Sequence, residues 1–144
     1  MTMHKHFLDT PASAGLYRLP AAGRNALAAM LAGRPGTALT ADLGGLKSVR
    51  GVLRRLGRDL ALPEWYGANY DALADCLGDP QCPAGRCPVL VLDGLDALRH
   101  ADVDGFATLL EVLRAAVDER RAAGRPLWIL IDAAEAGLPT PPEA

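Results

Sequence analysis

Two aspartates four residues apart, Asp71 and Asp75, have the type and spacing that most directly suggest chemistry in this sequence. At 100° per residue, they lie one above the other on one face of a helix. Like charges at this spacing destabilise an isolated helix by about 0.2–0.5 kcal/mol. A carboxylate pair held on a helix can take the place of nucleic-acid phosphates in a cationic site, because arginine pairs bidentately with either group. The alternative is an ordinary solvated acidic face.

The segment around these aspartates lacks positive charge. No Lys or Arg occurs in residues 59–85, although the chain contains 15 basic residues. The same segment contains five acids, namely Asp59, Glu64, Asp71, Asp75 and Asp79. The net charge of −2 therefore hides a local excess of negative charge, and it argues against direct binding of nucleic acid, which favours a basic surface.

The sequence offers little to the common kinds of enzyme site. The chain has three histidines, and two of them, His4 and His6, lie near the N-terminus, which disfavours a hydrolytic triad. Cys76, Cys82 and Cys87 lack CxxC spacing and a neighbouring histidine, so no metal site is predicted. We expect a protein that is not an enzyme and binds no cofactor, with a thiol-based activity as a minor alternative.

Length and hydrophobic patterning predict the elements that position the aspartates. A chain of 144 residues, half of them hydrophobic, is long enough for one domain with its own core. Strands alternate with helices, which indicates an α/β fold with a small parallel sheet of three to four strands packed with helices and with consecutive strands as neighbours. Strands are expected near residues 15–19, 37–43, 88–93 and 127–131, helices near 20–32, 48–60, 69–78 and 102–123, and a loop at 79–88.

The same patterns divide the chain into four parts. Residues 1–14 and 133–144 are expected to be flexible tails, residues 15–35 a strand–helix extension, and residues 36–132 the main domain. No apolar run is long enough to span a bilayer, and the N-terminus does not have the pattern of a secretory signal. An odd number of cysteines does not fit a secreted disulfide framework, so we expect a cytoplasmic protein with no membrane contact.

Two aromatic residues precede the acidic helix. Trp65 and Tyr66 fit either core packing or the edge of a protein interface, where Trp and Tyr are enriched. Asn69 is expected to cap the helix or to form a hydrogen bond across an interface.

The run LPEWYGANYDALADCL at residues 62–77 resembles the signature of the barstar family, small intracellular inhibitors of barnase-type ribonucleases. The family pattern is L-P-x-aromatic-Y/F-G-x-N-x-D-A-L-x-D-C-L, and weaker similarity extends over residues 37–132. The resemblance implies a barstar-like fold for residues 36–132. The first 35 residues resemble the extra strand–helix unit of a bacterial subgroup.

The resemblance also implies a binding site for a protein partner. Asp75 matches the carboxylate that occupies the catalytic phosphate position of the ribonuclease, and Asp71 matches a second acidic contact. The other implied partner-binding positions are Trp65, Asn69, Tyr70, Ala74 and Gly78. Ala74 replaces a large aromatic of the best-known inhibitor, and the acidic contact on the long helix matches either Asp118 or Glu119.

These matches imply a function. We expect a cytoplasmic, antitoxin-like or immunity-like inhibitor, monomeric and binding 1:1, that blocks the cationic active site of a barnase-type ribonuclease with the acidic helix. The alternative is a barstar-like interaction module whose partner is another protein with a cationic cleft.

Overall fold

The computed structural model describes residues 2–63, 65–134 and 137–143. Within these residues, four parallel strands form one sheet: β1 (Gly15–Arg18), β2 (Ala38–Asp42), β3 (Val89–Asp93) and β4 (Trp128–Ile131). The helices are α1 (Arg24–Ala32), α2 (Val49–Asp59), α3 (Tyr70–Gly78), α4 (Pro83–Arg86), α5 (Asp96–Ala101) and α6 (Val103–Ala122). The predicted α/β class with a small parallel sheet is confirmed.

The two central strands are apolar on both faces, and this determines the layers of the fold. Every residue of β4 is buried, and alternate residues of β3 and β4 enter two separate cores. One core lies under α2, α3 and α6 and includes Leu73 and Leu77 of α3. The other lies under α1 and the N-terminal segment and includes Phe7 and Leu27. Helices therefore cover both faces, as expected for a buried parallel sheet.

The strand order is β1-β4-β3-β2, so the expectation that consecutive strands are neighbours is wrong for β1 and β2. β1 and β2 form the two edges of the sheet. β1 pairs with β4, with Leu16 in register with Ile129. The connection from β1 to β2 includes α1, whose Leu27 packs with Val91 and Leu130 of the central strands. The crossover thus covers an apolar face of β3 and β4 that would otherwise be exposed.

The described parts of the two expected tails also pack on the domain. Phe7 is 1% exposed, and its ring lies edge-on to Tyr17 with centroids 5.0 Å apart. The backbone N–H of His4 donates to the carbonyl of Pro142 at 2.8 Å, which joins the two ends of the chain. Met3, Phe7, Leu8 and Ala14 therefore belong to the core on the second face of the sheet, because that face needs an apolar cover. The division of the chain into four parts stays a prediction.

Two short helices modify the predicted element pattern. The expected loop at residues 79–88 contains α4, a single turn that begins at Pro83. The long helix is preceded by α5, and Asp102 caps α6 by accepting a hydrogen bond from the N–H of Gly105 at 2.8 Å. No helix among the described residues is both long enough and apolar enough to cross a membrane.

Candidate functional site

The acidic helix begins as its sequence predicts. The Asn69 side-chain oxygen accepts a hydrogen bond from the N–H of Ala72 at 2.8 Å, which satisfies one of the free donors of the first turn. Leu73 and Leu77 are buried in the core under α6. Burial of this apolar face fixes the rotation of α3 and leaves Asp71 and Asp75 exposed on the other side.

Neither aspartate is neutralised by another described residue. Across residues 2–63, 65–134 and 137–143, no ion pair or side-chain hydrogen bond involves the carboxylate of Asp71 or Asp75. The arginines that form ion pairs do so with other acids: Arg24 with Asp93 and Asp132, Arg34 with Asp9, Arg58 with Asp59, Arg99 with Asp96, and Arg121 with Asp118. The N-terminal segment packs on the opposite face of the sheet and does not cover α3. Both carboxylates are therefore available to a partner.

The loop before α3 separates its two aromatic residues. Tyr66 is half-buried, and its hydroxyl donates to the carbonyl of Leu53 on α2 at 2.7 Å. Burial raises the pKa of this phenol. The ring lies against Gly57, where an added Cβ would come within 2.9 Å of it. Trp65, by contrast, is 55% exposed. Tyr66 therefore anchors the loop on α2, whereas Trp65 presents its indole to solvent.

The remaining sequence-predicted positions lie along or next to α3. Tyr70 is half-buried, and its hydroxyl donates to the carbonyl of Gly105 at the start of α6 at 3.3 Å. Ala74 and Gly78 are partly exposed and lie on the turns that also carry the two aspartates. Glu64, the acid that precedes Trp65, lies outside the described residues. The structure thus brings the predicted positions together on α3 and the loop before it.

The long helix contributes one acid to this surface. A Cβ placed on Gly78 would lie 2.9 Å from Oε1 of Glu119, so Glu119 borders the C-terminal end of α3. Asp118 instead pairs with Arg121 at 3.0 Å. Of the two acids that the sequence left open, Glu119 is the one adjacent to the acidic helix.

Two arginines that sequence reasoning missed hold the C-terminal end of α3. Arg120 is 2% exposed and donates from Nη1 to the carbonyl of Leu77 at 3.2 Å. Arg125 donates from Nη2 to the carbonyl of Gly78 at 2.7 Å. Cations at this position interact favourably with the helix dipole and satisfy its last carbonyls. The helical spacing of Arg120 after Leu113, Ala116 and Val117 places it on the buried apolar stripe of α6, and this spacing indicates a buried arginine.

The three cysteines are buried and free. Burial raises the pKa of Cys76 to about 12, and it also raises the pKa values of Cys82 and Cys87. A reactive cysteine needs a lowered pKa and solvent access, so these thiols have the properties of core residues. Within the described ranges, no group of three or more His, Cys, Asp or Glu residues could hold a metal ion.

Comparison with known proteins identifies the family of this chain and a solved structure with a similar fold. The family model described as "Barstar (barnase inhibitor)" matches residues 37–132, from the start of β2 to the end of β4. This chain belongs to the barstar family. The matched region includes α2, α3 and α6, whereas β1 and α1 lie outside it.

A solved structure of the ORC2 protein of Aeropyrum pernix, in ADPNP–ADP complexes, is similar at a TM-score of 0.54 and 14% sequence identity. The similarity covers 89% of this chain and 37% of that chain, so this chain spans well under half of that protein. At this identity the likeness concerns the fold alone.

Proposed function

We propose that this chain inhibits a barnase-type ribonuclease by inserting the acidic face of α3 into the cationic active site of the enzyme. The observation that carries the proposal is the pair Asp71 and Asp75, exposed on one face of α3 and unpaired among the described residues. Membership of the barstar family supports it, since the family description names inhibition of barnase.

The mechanism is substitution of carboxylates for phosphates. A ribonuclease cleft must bind the RNA backbone through cations, and arginine forms bidentate pairs with carboxylate as well as with phosphate. Asp75 occupies the site of the scissile phosphate, Asp71 takes a neighbouring cation, and Glu119 extends the same acidic surface. Local charges of opposite sign accelerate association, which therefore slows as the ionic strength rises.

The surrounding positions complete the interface. Trp65 supplies a large exposed aromatic surface of the kind that often dominates binding energy. Asn69, Tyr70, Ala74 and Gly78 contribute contact surface along the helix. We propose a 1:1 complex of a monomeric inhibitor that acts in the cytoplasm.

Ala74 favours a second candidate function. The methyl group at this position contributes less contact area than the aromatic residue of the best-known inhibitor, so the middle of the binding face lacks one anchor. A barstar-like module that binds a different protein with a cationic cleft is the alternative that this difference supports.

The test is inhibition of a barnase-type ribonuclease by the wild-type chain, by Asp75→Asn and by Asp104→Asn. Asp75→Asn preserves side-chain shape and removes one charge. Because it leaves a cation of the cleft unpaired, we expect about 2–5 kcal/mol of lost binding, or at least about 30-fold weaker inhibition. Asp104 is an exposed acid on α6, so Asp104→Asn controls for net charge and should change inhibition by less than about threefold.

The two candidate functions give different results in this experiment. Wild-type inhibition that is lost in Asp75→Asn supports the ribonuclease inhibitor. Absence of any complex with the ribonuclease at low salt supports the alternative, a module whose partner is a different protein with a cationic cleft. Equal inhibition by wild type and Asp75→Asn would contradict the acidic-helix mechanism.

A further inference from the structure

Three arginines line one cavity at the C-terminal end of α3. The cavity has a volume of about 330 Å³, and Arg86, Arg120 and Arg125 lie around it together with Pro80, Pro88 and Pro126. None of the three arginines forms an ion pair with another residue of the described ranges. Two acids lie near this end of α3: Glu119 borders Gly78, and Asp79 accepts hydrogen bonds from the N–H of Gln81 and the thiol of Cys82. The wall of the cavity is mainly apolar, and the three guanidinium groups add positive charge around it.

The three guanidinium groups differ in the donors they have left. Arg120 uses both Nη groups and Nε on backbone carbonyls, and these belong to Leu77, Ala84, Cys87, Arg125 and Pro126. Arg125 uses one N–H of each Nη, on the carbonyls of Gly78 and Gly85. Among the described residues, Arg86 uses only Nη1, on the carbonyl of Gln81 at 3.1 Å. A guanidinium has five N–H donors, so Arg86 and Arg125 retain donors that are unused among the described residues, whereas Arg120 contributes charge alone.

We propose that this cavity binds the phosphate group of a small phosphorylated molecule. A phosphate dianion matches a cluster of guanidinium groups in charge and presents several acceptor oxygens to their N–H donors. The rings of Pro80, Pro88 and Pro126 provide apolar surface for the organic part of a phosphate ester. The site lies outside the sequence-predicted binding positions of α3 and adds a small-molecule ligand to a protein-binding domain.

The buried charge of Arg120 gives the bound anion an effect on stability. Burial and the adjacent positive charge of Arg125 lower the pKa of Arg120. An anion in the cavity offsets the repulsion between these two groups. Because only the folded chain forms the cavity, ligand binding must raise the melting temperature in a saturable way.

The experiment is a thermal-unfolding titration with sodium phosphate or adenosine 5′-monophosphate, against sodium chloride at equal ionic strength. We expect a saturable rise in melting temperature with both phosphate compounds and none with chloride. A lower half-saturation concentration for the nucleotide would identify a phosphate ester as the ligand, and equal values would identify free phosphate. No rise with either compound beyond the chloride control would overturn the proposal.

Two variants assign the effect to the cavity. Arg86→Gln removes one charge and the largest set of unused donors, and it loses one hydrogen bond to the described residues, so the fold should persist. Circular dichroism checks this. We expect its half-saturation concentration to rise at least about tenfold, and Arg86→Lys to recover part of the loss. Arg54→Gln on the exposed face of α2 is the matched control and should behave as wild type. Equal effects of Arg86→Gln and Arg54→Gln would overturn the site.

Discussion

Two pairs of aspartates in this molecule differ in what surrounds them. Asp93 and Asp132, at the carboxyl ends of β3 and β4, share the guanidinium of Arg24, with distances of 2.7 and 3.3 Å. Asp132 also accepts hydrogen bonds from the N–H groups of Gly94 at 2.8 Å and Leu95 at 3.2 Å. Asp71 and Asp75 on α3 form no such bonds with the described residues.

The difference separates a structural use of carboxylates from the binding use that we propose for the second pair. The first pair holds the turn after β3 against the end of β4, so its charge is satisfied within the chain. The second pair is positioned by the buried face of α3 and by carbonyl contacts at the helix end, and no other described residue bonds to the carboxylates themselves. Substitutions should therefore affect stability at one pair and binding at the other.

The largest effect on stability is expected for Arg120→Met, which removes the hydrogen bond from the buried guanidinium to the carbonyl of Leu77 at the end of α3. Methionine approximates the length of the side chain but leaves several buried carbonyls without donors. We expect a loss of about 3–5 kcal/mol in the free energy of unfolding, measured by urea denaturation. A loss below about 1 kcal/mol would show that solvent replaces these bonds and that Arg120 does not hold the helix end.

Asp132→Ala should break the structural pair. The variant loses two backbone hydrogen bonds and leaves Arg24 with Asp93 alone, so we expect about 2–3 kcal/mol of destabilisation. Inhibition per folded molecule should equal that of wild type, which a titration with ribonuclease measures. Weakened inhibition by the folded variant would mean that the two pairs are not independent.

Asp59→Asn tests an acid of the base-free segment that does have partners. The backbone N–H of Asp42 and the Arg58 guanidinium hold the pKa of Asp59 below its ordinary value of 3.8. A lowered folded-state pKa stabilises the protein above the unfolded pKa, and this contribution is lost as the pH falls through the folded pKa. We expect Asp59→Asn to cost about 1 kcal/mol at pH 7 and progressively less below pH 4. A cost independent of pH would contradict the assignment.

The smallest stability effect is expected for Asp75→Asn. Removing one of two like charges at helical spacing should leave the free energy of unfolding unchanged or raise it by about 0.2–0.5 kcal/mol. Denaturation at low salt measures this, and the gain should fall as salt screens the pair. Destabilisation by more than about 1 kcal/mol would place Asp75 in the structural class with Asp132.

Much of this site was accessible from sequence because its determinants are local. The Asn69 cap, the apolar positions 73 and 77 and the two exposed aspartates follow from helical periodicity within ten residues. The strand β3 was also predictable, because its continuous apolar run indicates a strand that is buried on both faces of the sheet. The family pattern at residues 62–77 also indicates that the exposed face of this helix is the binding face.

What could not be predicted depends on contacts between distant segments. The place of β1 beside β4 follows from which crossover covers the second face of the sheet, and no local pattern specifies it. The choice between Asp118 and Glu119 depends on the rotation of α6 against α3. Arg120 was missed because a charged residue on an apolar stripe is satisfied by carbonyls from several segments far away in sequence.

We propose that Asp71 and Asp75, which are unpaired among the described residues, bind cations of a ribonuclease cleft. The most direct measurement is a double-mutant cycle between Asp75→Asn and alanine substitutions of the cleft cations, read from complex dissociation constants. A direct contact predicts a coupling energy of at least about 1 kcal/mol with one or more of these cations. Additive effects at every cation, within about 0.3 kcal/mol, would contradict the account.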